Sequence, residues 1–189
     1  FRETLTRQFG LDKPLWWQYL RYCGEALTGN LGVSYQYRQP VVQVISAALK
    51  ETVPLAVSAL ALALVLAVFN ALLTAGRHPR LRSLLAGLEL MLLSTPVYWI
   101  GIVLLSIFSF KLQWFPVTGN DGWIALVLPV VTLSLPLAAT LSQVLRDGLE
   151  EALSQPFAMT VRTRGVSETA LRLRHALRHA SLAVSTLTG

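Results

Sequence analysis

Residues 52–75 read TVPLAVSALALALVLAVFNALLTA and carry no charge. At 1.5 Å per residue, a helix of this length reaches about 36 Å, more than the ~30 Å hydrocarbon core of a bilayer. Pro54 falls in the first turn, where a missing N–H costs little. Asn70 is the one strongly polar side chain of the run. It suits either an interhelical hydrogen bond or a position facing a pore. The stretch predicts a spanning helix, and the neighbouring runs extend the same reading.

Residues 83–110, SLLAGLELMLLSTPVYWIGIVLLSIFSF, form a second apolar run. Pro96 breaks its hydrogen-bond ladder, and Ser94 and Thr95 are placed to re-satisfy the freed backbone groups. Glu89 is the only charge inside any of the runs. At a helix centre it would cost about 2.5–3.5 kcal/mol by insertion scales. Two roles therefore stay open: a substrate contact, or an interfacial carboxylate paired with an arginine such as Arg82, seven residues away. The third run, 123–145, contains Pro129 and Pro136. It predicts a kinked span with Thr132 and Ser134 available to compensate.

Between the runs, GRHPRLR (76–82) is a tight basic turn in which His78 reads as a solvated loop residue. KLQWFPVTGNDG (111–122) is rich in turn formers, with Trp114 and Phe115 as interface anchors. Upstream, residues 1–51 are mixed. Leu15, Tyr19, Tyr22 and Ala26 recur at helical spacing after Pro14. Trp16, Trp17, Tyr19 and Tyr22 fit an aromatic belt at a membrane interface, or a small soluble core. Gly29-Asn30-Leu31-Gly32 marks a turn, and Pro40 opens a short amphipathic helix leading into the first run.

Composition agrees with a membrane protein. Of 189 residues, 53% are hydrophobic and 14% charged, against about 25% charged in a soluble domain. The mean hydropathy is +0.53. The net charge of +6 would suit nucleic acid only if it formed a contiguous basic face. Here the basic residues alternate with apolar runs, so no nucleic-acid partner is expected. The single cysteine, Cys23, excludes an internal disulfide framework and a Cys-rich metal site. FRETLTRQFG has no apolar signal-peptide core, and the sequence does not start with Met. The expectation is a portion of a longer protein, by design or by natural truncation.

Three spans alternate the polar segments between two sides. Segments 76–82 and 146–180 hold nine Lys/Arg, and the longer 1–51 and 111–122 together hold seven. The denser pair is expected on the cytoplasmic side. The longer of its members, RDGLEEALSQPFAMTVRTRGVSETALRLRHALRHA (146–180), contains six arginines. It reads as two helices joined at Gly165, the first from about Asp147 to Val161 with Pro156 interrupting it. The second starts at an N-cap, Ser167, and separates an apolar from a basic face. Such a hairpin could dock a soluble partner or rest on anionic lipid. His175 and His179 are spaced i, i+4, but no acidic residue follows the first, so a zinc-hydrolase motif is not supported. No nucleophile, base and metal set converges anywhere.

At this loop the residues resemble a known family: the membrane-spanning subunits of binding-protein-dependent ABC importers, specifically the peptide/nickel permease branch. That branch reads like T-A-R-A-K-G followed by R-H-A-L-R-N-A. This chain has Thr160-Val161-Arg162-Thr163-Arg164-Gly165 and Arg174-His175-Ala176-Leu177-Arg178-His179-Ala180, with Glu151-Ala152-Leu153 and Phe157 upstream. Leu11-Asp12-Lys13-Pro14-Leu15, Gly29-Asn30-Leu31-Gly32-Val33-Ser34, the Ser94, Pro96, Tyr98, Trp99 set and Trp114, Pro116, Gly119 extend the likeness along nearly the whole chain. Ala183 stands where the branch has proline, and Pro156 replaces a usual acidic residue.

The resemblance implies an all-α, multi-pass transmembrane helical bundle of the ABC importer permease type, in the bacterial inner membrane. Residues 1–51 would be an extracytoplasmic segment after a first span outside this sequence. Residues 52–189 would form the permease domain, with spans near 52–75, 83–110 and 123–145. A cytoplasmic EAA coupling loop would cover 146–180, and the next span would begin at 181–189. Glu151, Phe157, Thr160, Arg162, Arg164, Gly165, His175 and Arg178 would contact the ATPases. Asn70, Glu89, Ser94 and Pro96 would line the pathway or pair helices. Implied partners are a second permease subunit, two ATP-binding subunits, an extracytoplasmic solute-binding protein and the lipid bilayer. The chain itself would be no enzyme and hold no cofactor or metal, and it has no G-x-x-x-x-G-K-[ST] phosphate loop. The solute would be a peptide, or nickel or a metal chelate. A non-transporting scaffold or an inactive truncated permease is the alternative.

Overall fold

The computed structural model describes residues 13–74, 79–117 and 122–163. Its described secondary structure is helical apart from one isolated antiparallel bridge, Val33 to Pro40. The chain divides into two compact units, residues 1–53 and 54–189.

In the first unit, α1 (Leu15–Leu27) begins directly after Pro14, whose carbonyl accepts the N–H groups of Trp17 and Gln18 at 3.0 and 3.2 Å. Pro14 thus caps the helix from outside, where a residue without a needed N–H loses nothing. No residue of α1 is buried, and Trp16, Tyr19 and Tyr22 are all exposed. Arg21 reaches Glu25 one turn on at 2.8 Å and lies over the Trp17 ring, 5.6 Å from its centroid. The following turn passes through Gly29 and Gly32 at φ of +84° and +76°, a region that favours glycine. The Val41 N–H donates to Gly32 O at 3.0 Å, and α2 starts there.

Helix α2 (Val41–Thr74) is continuous for 34 residues, about 51 Å. The amphipathic stretch after Pro40 and the first apolar run, expected as two elements, are one helix. Pro54 lies inside it rather than in a first turn. Thr52 Oγ1 donates to Ala48 O at 2.8 Å just before that proline.

Among the described residues, the second unit contains the rest of α2 and four further α-helices. The run 83–110 is not one straight span. It forms α3 (Pro79–Ser94) and α4 (Val97–Leu104), the latter running on as π-helical turns Leu105–Lys111, with a bend of 103° between the two arms. The cause lies at Thr95–Pro96. A proline at 96 deprives the Leu92 carbonyl of its usual donor and pushes residue 95 out of helical conformation. The Thr95 N–H turns back to Leu92 O at 3.4 Å, and Thr95 Oγ1 donates to Met91 O at 2.7 Å. Ser94, expected to share this task, closes α3 as an exposed residue.

Helix α5 (Trp123–Ser154) runs through both Pro129 and Pro136. Thr132 Oγ1 donates to Leu128 O at 2.8 Å and Ser134 Oγ to Val131 O at 3.0 Å. Prolines at 129 and 136 free the carbonyls four residues earlier, those of Ala125 and Thr132. The two hydroxyls therefore reinforce other carbonyls and do not replace the lost donors. Helix α5 also continues nine residues past the expected end at 145. Leu149 and Ala152 carry on the buried stripe of Leu141 and Leu145, so residues 146–154 belong to the bundle, not to a surface hairpin. After Gln155, α6 (Pro156–Thr163) begins.

The core is built from small side chains on α2 against larger ones on α5. Ala63, Ala67 and Ala71 are fully buried at four-residue spacing and cluster with Ala138, Leu141, Leu145, Leu149 and Ala152. Val57, Val65, Phe69, Leu84, Leu90, Ile102 and Phe110 lie exposed. On α2, alanines inward and Val57, Val65 and Phe69 outward is the arrangement expected where the solvent is lipid and close helix approach supplies the attraction. Where α4 crosses α5, Gly101 provides that approach: a Cβ there would stand 3.3 Å from Thr132 Cγ2. Among the described residues two helices, α2 and α5, are long and apolar enough to cross a membrane, and the bent pair would make a third crossing if it acts as one.

Candidate functional site

The one buried residue of α3 is a carboxylate, Glu89. Glu89 is 2% exposed, on a helix whose leucines are largely outside. A carboxylate in that position is costly unless each of its oxygens finds a donor and an opposite charge is close. Both conditions are met from two other helices. Glu89 Oε1 accepts Asn70 Nδ2 from α2 at 2.8 Å and Ser142 Oγ from α5 at 2.6 Å. Glu89 Oε2 is ion-paired with Arg146 Nη2 from α5. Arg146 is 4% exposed and Ser142 fully buried.

The positions follow from helix periodicity. Ser142 and Arg146 are one turn apart on α5 and share the face that carries Leu145 and Leu149 into the core. Asn70 lies beside the alanine stripe of α2, next to Ala71. The result is an electrically neutral knot that ties α2, α3 and α5 together with both oxygens of Glu89 occupied by protein donors. Asn70 Oδ1 is buried and finds no donor among the described residues. Beside it lies an apolar cavity of about 230 Å³, walled by Leu66, Phe69, Leu85, Leu88 and Leu92 as well as Asn70 and Glu89. Two turns before Glu89, half-exposed Arg82 pairs with Glu150 of α5 at 3.0 Å.

Arg82 is thus not the partner of Glu89, although it is the nearer in sequence. That role falls to Arg146, 57 positions away, at the first position of what reads in sequence as the polar loop. Its detectable signal is the four-residue interval 138, 142, 146 within the stripe that continues past 145. Pro96 marks the bend, with its carbonyl accepting Trp99 N at 2.9 Å and Ile100 N at 3.3 Å at the start of α4. Neither Ser94 nor Pro96 joins the knot.

Of the residues expected to contact an ATPase, Glu151 is exposed near the end of α5, and Phe157, Thr160 and Arg162 lie along α6. Arg164, Gly165, His175 and Arg178 lie outside the described residues, so the helix junction expected at Gly165 does too. Among the described residues no group of three or more His, Cys, Asp or Glu is placed to hold a metal ion.

Comparison with known proteins identifies the bundle. Residues 63–189 match the family of the binding-protein-dependent transport system inner membrane component. The chain is 32% identical over 190 residues to the glutathione transport system permease protein GsiC of Escherichia coli K12, an alignment covering 99% of this chain and 61% of that protein. It is 34% identical over 189 residues to the dipeptide transport system permease protein DppB of Lactococcus lactis subsp. cremoris, covering 99% of this chain and 62% of that protein. The chain therefore spans about three-fifths of the length of these relatives. With its long apolar helices and the family match over residues 63–189, the chain belongs to the family of inner membrane components of binding-protein-dependent transport systems.

Proposed function

We propose that this chain forms part of a permease subunit that, with a second related subunit, encloses the pathway of an ABC importer for short peptides. The observation that carries the reading is the alignment of 99% of the chain with permeases named for glutathione and for dipeptides. Two ATP-binding subunits dock on the cytoplasmic side, and an extracytoplasmic binding protein delivers solute to the side holding residues 1–51 and 111–122. Catalysis of ATP hydrolysis belongs to the partner subunits. The stretch 155–180 acts as the coupling element. Phe157 is its apolar anchor, and Arg162, Arg164 and Arg178 supply charged contacts. Glu151, Thr160 and His175 join the docking face, and Gly165 permits the tight turn. Helix α6, continuing from a well-packed α5, supports a short helical element at the start of that stretch.

The test is reconstitution of the full-length permease with the ATPase and binding-protein partners encoded beside it. Stable co-purification, with hydrolysis stimulated by binding protein loaded with a di- or tripeptide and not by the nickel-loaded form, supports the proposal. Failure of any ATP-binding subunit to associate would favour a scaffold. Stimulation by nickel alone would reassign the solute.

A further inference from the structure

Two ion pairs join α3 to α5, and their order along the helices is as informative as their existence. Helix α3 carries Arg82 and then, two turns on, Glu89. Helix α5 carries Arg146 and then, one turn on, Glu150. The pairs are Arg82 with Glu150 and Glu89 with Arg146, so the helices run antiparallel here and the signs alternate along each. A slip of α5 by one turn, about 6 Å, in one direction brings Arg146 to the position of Glu150, opposite Arg82. A slip in the other direction brings Glu150 opposite Glu89. Either displacement sets like charges against each other, one of them in an apolar core where the interaction is little screened. A pattern with equal signs along each helix would tolerate the slip, because every shifted partner would still attract.

We propose that these four residues form a register lock that makes α3 and α5 one rigid body. Buried charge that costs stability but fixes register is the best-attested use of such pairs, and opposition to the wrong alignment is what an alternating pattern provides. The consequence follows from continuity. Helix α5 ends at Ser154 and α6 starts at Pro156, so displacement of α6 passes along α5 and, through the lock, into α3 and the bend at Thr95–Pro96. Without the lock, α5 would slide past α3 and the motion would be lost. Arg82, Glu89, Arg146 and Glu150 are thus positioning residues for transport. That consequence rests on the permease reading; the lock itself does not.

Charge reversal separates register from simple pairing. Glu89→Arg with Arg146→Glu keeps both ion pairs attractive but makes the signs equal along each helix; the free Asn70 Oδ1 and the Ser142 hydroxyl are available to accept from the new arginine. Adding Arg82→Glu and Glu150→Arg restores alternation. Spin labels on Leu84→Cys and Asp147→Cys in a Cys23→Ser full-length permease report the α3–α5 register by pulsed electron resonance. The expected result is one narrow distance distribution in the parent and the fourfold reversal, and a second, shifted population in the twofold reversal. In reconstituted transporter the twofold reversal should also lose solute taken up per ATP hydrolysed, and the fourfold reversal should recover it. A single unchanged distance in a folded twofold reversal, or a fourfold reversal that behaves like it, overturns the lock. Should the twofold reversal fail to fold, the outer reversal Arg82→Glu with Glu150→Arg, which also equalises the signs, puts the same question in half-exposed positions: a second population supports the lock, and a single unchanged distance overturns it. If the parent shows no uptake while the distances behave as stated, the permease reading fails and the lock stands.

Discussion

Removing one member of the Glu89–Arg146 pair leaves the other as an unpaired charge with only 2–4% exposure. Breaking a buried pair from one side typically costs about 3–5 kcal/mol, because the remaining charge keeps its desolvation penalty. Intramembrane hydrogen bonds are weaker than that figure suggests, averaging about 0.6 kcal/mol, since unfolded helices in the membrane also find partners. The lower end, about 3 kcal/mol, is therefore expected for Glu89→Gln and for Arg146→Met, roughly a hundredfold in the folding equilibrium. The double variant should behave differently. Gln at 89 still offers an oxygen to Asn70 Nδ2 and Ser142 Oγ, and Met at 146 removes the cation, so no charge is stranded. Its loss should be about 1 kcal/mol, far below the sum of the single losses. The assay is reversible unfolding of the purified protein in mixed micelles with rising SDS, followed by helical circular dichroism. Single variants within about 0.5 kcal/mol of the parent, or a double variant equal to their sum, would refute the claim that Glu89 is held as a compensated buried charge.

Other expectations follow from packing and from the junction. Gly101→Leu should destabilise by about 1–3 kcal/mol through collision with Thr132, whereas Gly101→Ala requires only a shift of a few tenths of an ångström and should cost less; the same unfolding assay ranks them. Ala67→Leu places a large side chain where α2 meets α5 with no exposed area, and should likewise cost about 1–3 kcal/mol, while Val65→Leu on the exposed face should be silent. Gly165→Val should uncouple hydrolysis from uptake in reconstituted vesicles; unchanged solute-stimulated hydrolysis and uptake would remove Gly165 from the proposed turn.

The helical class is legible in the sequence because lipid imposes a crude and strong rule, long runs without charge, and α2 and α5 obey it. Helix boundaries are less legible. Hydropathy falls at Gln43, Lys50 and Glu51, yet nothing there breaks a helix, so α2 extends back to Val41. At 146–154 the outward residues Asp147 and Glu151 lower the average, while Leu149 and Ala152 keep the buried stripe alive. Pro96 announces a break but not its angle, which depends on the contacts α3 and α4 each make with α5. The site is half visible. A lone carboxylate in an apolar run points to Glu89, and Asn70 is the only strongly polar group of its apolar run. Their assembly with Ser142 and Arg146 depends on how antiparallel helices meet, and periodicity within one helix carries no information about that. Arg146 is hidden further by its place at the edge of an obviously polar stretch.

Whether the chain belongs to a working peptide importer is decided by ATP-driven uptake of a radiolabelled dipeptide into proteoliposomes containing the full-length permease, its partner subunits and its binding protein. Accumulation that requires ATP, the binding protein and an intact Gly165 is the predicted result. Vesicles that hydrolyse ATP and hold a folded permease, yet accumulate no peptide above an ATP-free control, would contradict it.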